Sequence, residues 1–99
     1  METKELQKKA VEAVDAVDKK FKLKRGAQLN LAQLMEELGE LAREVNLLAL
    51  RNREPDKENL EGEFGDVLLQ LSKLADLTGV DLEQAVLNKI ETLKKRHNI

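Results

Sequence analysis

The sequence contains no cysteine, tryptophan or tyrosine, and its 99 residues include only one proline and two phenylalanines. Without cysteine there can be no disulfide framework, no thiolate nucleophile and no zinc–sulfur site. The shortage of aromatic side chains also argues against a surface that stacks the bases of single-stranded nucleic acid. A metal site or catalytic site in this chain must therefore rely on oxygen ligands.

Neither sign of charge dominates the sequence, and no long apolar run interrupts it. There are 17 Lys and Arg residues against 19 Asp and Glu residues, for a formal net charge of −2 at pH 7. No stretch approaches the ~20 apolar residues that span a membrane, and the amphipathic, acid-containing N-terminal segment is typical of neither a secretory signal nor a transit peptide. We expect a cytoplasmic protein that forms one domain over residues 1–99 and has neither a membrane nor a nucleic acid as partner.

Apolar residues recur at intervals of three and four along four segments of the chain, which is the spacing of amphipathic α-helices. The first helix is predicted to begin at Thr3 as its N-cap and to end near Phe21. The second is predicted to begin at Asn30, which forms a capping-box-like pair with Gln33, and to continue to about Arg53. Between them, residues 22–28 break the period and are predicted to form a basic loop.

Two further helices are predicted in the C-terminal half, each opened by an aspartate. Asp56 is the expected N-cap of a third helix that ends near Leu77, and Asp81 is that of a fourth, which closes in the basic residues 94–97. No segment alternates polar and apolar residues for long enough to form a strand. The fold prediction is therefore an all-α four-helix bundle.

The predicted second helix carries more apolar surface than one internal face can bury. Its main stripe leaves out Leu47 and Leu50, and so short a chain buries a comparatively small fraction of its surface when it folds alone. We expect a twofold partner to cover these leucines in an isologous interface. The result would be a homodimer or, as a dimer of dimers, a homotetramer.

One acidic pattern occurs twice in the chain. Residues 34–49, LMEELGELAREVNLLA, align without a gap with residues 60–75, LEGEFGDVLLQLSKLA. Glu37 matches Glu63 and Glu40 matches Asp66, so each copy carries two carboxylates at i and i+3, on one face of a helix. If the two helices lie antiparallel, the four carboxylates come together in one cluster.

The ordinary interpretation of such acids is a solvated helix face, and two features argue against it here. A glycine, Gly39 or Gly65, lies inside each pair and costs about 1 kcal/mol relative to alanine, which we attribute to a close approach of the two helices. No Lys or Arg follows any of these acids at i+4, where a salt-bridged surface would place one. Uncompensated carboxylates in one groove would raise their own pKa values and oppose folding unless a cation neutralised them.

Carboxylate ligands suit Mg²⁺ or Mn²⁺ rather than Zn²⁺ or copper. Hard cations held in this way commonly bind phosphate oxygens and activate a water molecule. The sequence has neither a Walker loop nor a G-x-G-x-x-G motif, so the metal is expected to be the main phosphate ligand. The residues alone therefore indicate a Mg²⁺ or Mn²⁺ centre that acts on a phosphate-containing substrate.

At these residues the chain resembles the MazG-like nucleoside triphosphate pyrophosphohydrolases, an all-α family that also holds dimeric dUTPases and dCTP pyrophosphatases. The family motif, EExxE followed after a spacer by ExxD, reads Glu36-Glu37-Leu38-Gly39-Glu40 and Glu63-Phe64-Gly65-Asp66 in this sequence. The resemblance extends over about residues 30–97. It implies hydrolysis of a nucleoside triphosphate between its α- and β-phosphates, which gives a nucleoside monophosphate and pyrophosphate.

The resemblance also assigns roles to individual acids. It implies that Glu36 lies in or beside the shell that orients the attacking water, so that Glu36 and Glu37 are the candidate catalytic residues. The implied Mg²⁺ ligands are Glu37, Glu40, Glu63 and Asp66.

Two cations of the predicted last helix match basic positions of the family. Lys89 and Arg96 are accordingly candidate ligands of the substrate phosphates. The chain departs from the family pattern at Leu93, where members often have asparagine, and in having at most Phe21 and Phe64 as aromatic residues near the base. The resemblance therefore gives no preferred base.

Two alternatives to this function stay open at the level of sequence. One is a non-catalytic helical protein, a regulatory subunit or assembly module, that keeps the acidic metal-binding groove without turnover. The other is hydrolysis of a different phosphate ester or anhydride by the same metals. The products released from a panel of nucleoside triphosphates distinguish all three.

Overall fold

The structure is a computed structural model of the chain, and it describes residues 2–99. Over these residues it contains no strand and five α-helices: α1 Thr3–Lys20, α2 Ala27–Val45, α3 Leu47–Arg51, α4 Lys57–Leu77 and α5 Leu82–His97. The all-α prediction is confirmed. The predicted count of four helices is wrong, because the second predicted helix is divided in two. Within the described chain, no helix is long and apolar enough to cross a membrane.

The division of the second predicted helix falls at Asn46. The side-chain Nδ2 of Asn46 donates to the carbonyl oxygen of Ala42 at 2.8 Å. Helix α3 is followed by its C-cap Asn52, which adopts the left-handed conformation with φ 55°. Leu47, the first residue of α3, is buried, whereas Leu50 is 64% exposed. The expectation that both leucines need a partner to cover them is therefore wrong for Leu47, since the chain buries this side chain itself.

The two aspartates predicted to open helices do so. One carboxylate oxygen of Asp56 accepts from the backbone N–H groups of Glu58 at 2.8 Å and Asn59 at 3.4 Å. The Asp81 carboxylate accepts from the backbone N–H of Gln84 at 3.1 Å. These bonds satisfy N–H groups that have no partner within the first turn of a helix.

Asn30 does not cap α2, and this prediction is wrong. The helix begins at Ala27 after Gly26, and Asn30 lies within it, with none of its surface exposed. Its Nδ2 donates to the carbonyl oxygen of Gln70 on α4 at 2.7 Å. The side chain therefore connects two helices instead of closing the end of its own. Thr3 is likewise the first residue of α1 rather than its N-cap.

Arg25 lies at the centre of a buried polar cluster that joins α1, α2 and α4. Its Nε and Nη2 donate to the Asp18 carboxylate at 2.7 and 2.9 Å. Its Nη1 donates to the side-chain oxygens of Asn30 at 3.3 Å, of Gln70 at 3.1 Å and of Gln33. The side chains of Arg25 and Asp18 are only 7% and 10% exposed. Arg25 is thus a structural residue and not one of several free cations in a basic loop.

Helix α4 is the centre of the packing. It lies against both α2 and α1, while α5 packs on α1. The buried apolar residues are few and are spread over four helices: Ala10, Val14, Leu34, Leu47 and Ala75. The Cα radius of gyration is 16.0 Å, compared with about 13 Å for a compact domain of this length. The single chain is therefore more extended than a self-contained domain of its size.

We expect Arg25→Gln to lower the free energy of unfolding by about 3–5 kcal/mol, because it leaves the Asp18 carboxylate buried and unpaired. The hydrogen bond from Arg25 holds the pKa of Asp18 below its usual value. This stabilisation should be present at neutral pH and disappear as the pH falls through the folded-state pKa of Asp18. Urea denaturation of both proteins, repeated at decreasing pH, measures the difference.

The control for this experiment is Lys4→Gln, which removes an exposed ion pair with Asp81 at 3.4 Å. An exposed pair is expected to contribute less than about 1 kcal/mol. Equal losses in the two variants would contradict the role given to Arg25.

Candidate metal centre

Four carboxylates from two helices meet where α2 packs against α4. Each offers one oxygen to the group, and these four oxygens all lie within 4.8 Å of one another. Two members are half-buried and two are exposed, so the cluster sits in a groove that opens to solvent. The residues are the four that the sequence singled out, Glu37, Glu40, Glu63 and Asp66.

The acids of the two helices influence one another's pKa values. Burial is the largest influence on the pKa of Glu37 and raises it, and the strongest charge acting on Glu37 is that of Asp66. Burial also raises the pKa of Glu63, for which the strongest charge is that of Glu40. The strongest charge on each of these two glutamates thus comes from an acid of the other helix. All the principal influences on these two pKa values raise them, and none comes from a cation.

Two buried oxygens of this cluster have no hydrogen-bond partner within the described chain. They are Oε2 of Glu37 and Oε2 of Glu63. A carboxylate oxygen that is shielded from water and has no partner carries a desolvation penalty. Protonation or a bound cation removes this penalty, and at neutral pH a cation is the more effective of the two because the four groups repel one another.

The cluster fits a small hard cation. An octahedral Mg²⁺ site is roughly 4.2 Å across, twice the Mg–O bond of about 2.1 Å, and the four oxygens span at most 4.8 Å. All the donors are carboxylates, which suit Mg²⁺ and Mn²⁺, and no nitrogen or sulfur ligand that would favour zinc or copper belongs to the group.

Glu36 lies beside the cluster and is not part of it. Its side chain lines an open cavity of about 430 Å³ together with Gly39, Glu40 and Arg43. The close helix approach predicted at the glycines is wrong, because nothing lies within 4 Å of a Cβ placed at Gly39 or Gly65. Gly39 instead lines this cavity beside Glu40 and has no side chain to fill it.

The two cations proposed for the substrate phosphates are not gathered with the carboxylates. Lys89 and Arg96 lie on α5, which packs on α1 rather than on α2. Neither is a principal influence on the pKa of Glu37 or Glu63. Their role stays a prediction. The two phenylalanines, Phe21 and Phe64, are 71% and 55% exposed.

The Arg25 cluster borders this site. Gln33 precedes Glu37 by one helical turn on α2, and Gln70 follows Asp66 by one turn on α4. The hydrogen bonds from Arg25 to both glutamines therefore fix α2 and α4 next to the carboxylates. The sequence did contain a signal for this cluster, because Asn30 falls in phase with the apolar stripe of its helix.

Comparison with known proteins identifies the family. Residues 25–99 match the family described as the MazG nucleotide pyrophosphohydrolase domain. Two similar proteins come from Bacillus subtilis (strain 168), and both are named as uncharacterized. YvdC is 38% identical over 80 residues, covering 72% of this chain and 76% of YvdC. YpjD is 42% identical over 71 residues, covering 66% of this chain and 64% of YpjD. No solved structure matches the chain.

The chain combines an all-α fold with a cluster of four carboxylates, and its family is described as the MazG nucleotide pyrophosphohydrolase domain. The chain belongs to the MazG family, as its sequence motif predicted. The matched residues include both helices that carry the carboxylates, while α1 precedes them.

We expect Glu63→Gln to raise the melting temperature of the metal-free protein by a few degrees at neutral pH. The raised pKa of Glu63 means that its charged form opposes folding, and the amide removes that charge. The advantage should shrink as the pH falls through the folded-state pKa and vanish below the ordinary value of 4.5. Thermal melts in a chelator, recorded across this pH range, measure the effect.

The matched control is Glu61→Gln, which makes the same change at an exposed position of the same helix. We expect it to leave the melting temperature almost unchanged. A lower melting temperature in Glu63→Gln than in Glu61→Gln, at neutral pH without metal, would contradict the repulsion described above.

Proposed function

We propose that the protein is a Mg²⁺-dependent nucleoside triphosphate pyrophosphohydrolase that releases a nucleoside monophosphate and pyrophosphate. Its family supports the class of reaction. The observation that carries the proposal is the cluster of four carboxylates with two buried, unpartnered oxygens. A merely solvated acidic face would leave such oxygens in contact with water.

The acids of the site have two different roles in this proposal. The residues that would hold Mg²⁺, or Mn²⁺ in its place, are Glu37, Glu40, Glu63 and Asp66. The bound cation supplies Lewis acidity toward phosphate oxygens and lowers the pKa of water. Glu36 lines an open cavity together with Glu40, and in this proposal its carboxylate orients the attacking water and accepts its proton.

The negative charge of the four carboxylates in the groove favours a substrate that carries a bound metal ion. Without a cation, four carboxylates repel a triphosphate as well as one another. Burial and mutual repulsion raise the pKa values of Glu37 and Glu63, so a cation competes with protons for these two groups. The residues of the groove therefore favour the triphosphate together with its metal over the triphosphate alone.

We further propose that the protein acts in the cytoplasm as a homodimer or as a dimer of dimers. Helix α5 has no buried residue. Its apolar side chains are 39–55% exposed: Val86, Leu87, Ile90 and Leu93. A second copy that covers this face would shield apolar surface that the extended single chain leaves in water. Lys89 and Arg96, on the same helix, would then contact the substrate phosphates at the interface between subunits.

The direct test is pyrophosphate release from a panel of common and damaged nucleoside triphosphates with Mg²⁺. We expect monophosphate and pyrophosphate as products, and a loss of at least about 100-fold in kcat for Asp66→Asn because it removes one metal ligand. Glu61→Gln, on the same helix, should keep wild-type activity. Sedimentation velocity on the same samples should give a dimer or tetramer.

Each contrary result has a definite meaning. No turnover of any triphosphate would favour a non-catalytic regulatory or assembly protein. Release of a diphosphate and inorganic phosphate would mean that a different bond is cleaved. A fully active monomer would contradict the proposed assembly, and near-native activity of Asp66→Asn would contradict the metal site.

A further inference from the structure

Three arginines line a cleft where α2 gives way to α3 and the following loop. The cleft has a volume of about 330 Å³ and is lined by Arg43, Glu44, Leu47, Arg51 and Arg53. Arg43 lies near the end of α2, Arg51 ends α3, and Arg53 belongs to the loop before α4. Cations from three consecutive segments thus line one cleft beside the break at Asn46.

None of these guanidinium groups forms an ion pair within the described residues. The ion pairs found there join Lys4 to Asp81, Arg25 to Asp18, and Lys73 to Asp15 and Asp76. The single acid of the cleft, Glu44, already accepts a hydrogen bond at its Oε1 from the backbone N–H of Asp56 at 3.1 Å. The arginines of the cleft are therefore available to an external anion.

Stabilisation of the helix ends does not account for all three arginines. Arg43 and Arg51 lie in the last turns of α2 and α3, where cations interact favourably with the helix dipole. Arg53 lies beyond α3, after the left-handed residue Asn52, and has no such role. Like charges in one cleft repel one another. A bound anion would offset this repulsion between the three arginines.

The cleft adjoins the acidic centre. Arg43 lines both the arginine cleft and the cavity that contains Glu36 and Glu40. Arg43 and Glu44 follow Glu40 by three and four residues on the same helix, which places them within one turn of this candidate metal ligand. A ligand that reaches from the carboxylates to the arginines would meet the carboxylates through a cation and the arginines directly, as a metal-bound polyphosphate does.

We propose that Arg43, Arg51 and Arg53 bind the two outer phosphates of the substrate and, after cleavage, the pyrophosphate product. This inference rests on the proposed function for the identity of the substrate. Cleavage between the α- and β-phosphates places the reacting phosphorus at the carboxylates and leaves the outer pair beyond them. Guanidinium groups bind phosphate oxygens in a bidentate manner and keep their charge at all relevant pH values.

The test uses inorganic pyrophosphate as the probe, titrated by calorimetry into the full chain with and without Mg²⁺. We expect the wild-type protein to bind pyrophosphate in both conditions and more tightly than inorganic phosphate. Arg51→Gln with Arg53→Gln should weaken pyrophosphate binding at least about 10-fold, and Arg51→Lys with Arg53→Lys by less, because lysine keeps the charge but loses the bidentate geometry. Both arginines are exposed and unpaired, so circular dichroism should show unchanged folding.

The matched control is Lys9→Gln with Lys19→Gln, which removes the same charge from exposed positions on α1. It should bind pyrophosphate as the wild-type protein does. Wild-type affinity in the arginine-to-glutamine variant, or an equal loss in the lysine control, would overturn the inference even if triphosphates are hydrolysed. Selective loss in the arginine variant would support the anion site even if no triphosphate is hydrolysed. Where turnover occurs, the same variant should raise the inhibition constant of pyrophosphate as well.

Discussion

The packing of α2 against α4 is the contact on which both the fold and the candidate site depend. It brings four carboxylates within 4.8 Å of one another, and their repulsion acts to separate the same two helices. The opposing force lies one turn away, where Arg25 and Asn30 connect α2 to Gln70 on α4. Because Arg25 is also paired with the buried Asp18 of α1, three helices are held by one guanidinium group. These contacts can therefore hold the site together without a cation, at a cost in stability that a bound cation would relieve.

Charge changes sign along α2 in an order that suits an extended anionic substrate with a metal. Neutral amides, Asn30 and Gln33, lie near the start of the helix and receive the Arg25 guanidinium. The carboxylates Glu37 and Glu40 lie in its middle. No cation of the described chain is a principal influence on the pKa of Glu37. Beyond them, Arg43 opens onto the arginine cleft. A cation at the carboxylates and phosphates at the arginines would each meet the opposite charge, so one helix organises both ends of the proposed polyphosphate site.

The local signals in the sequence were sufficient for most of the fold and for the carboxylate cluster. Asp56 and Asp81 cap the helices that they were predicted to open, and the repeated acidic pattern meets across two helices because its carboxylates share a phase on each. The errors arose where a side chain has a partner distant in sequence. The sequence predicts Asn30 as a cap, but its side chain bonds to Gln70, forty residues away; its phase with the apolar stripe indicates burial and does not identify that partner. The apolar period likewise runs through Asn46. It therefore could not show that the helix divides there, that Leu47 is buried, or that later arginines line a cleft.

The central claim is that these carboxylates form a repulsive cluster with raised pKa values that binds a divalent cation, and proton release on metal binding tests it most directly. Calorimetric titration of Mn²⁺ in two buffers with different ionisation enthalpies gives the number of protons released per ion bound. Burial and mutual repulsion raise the pKa values of Glu37 and Glu63. The account therefore predicts proton release that increases as the pH is lowered from about 7.5 toward those values. Saturable binding without proton release at any pH in that range, or no binding of Mn²⁺ at all, would contradict it.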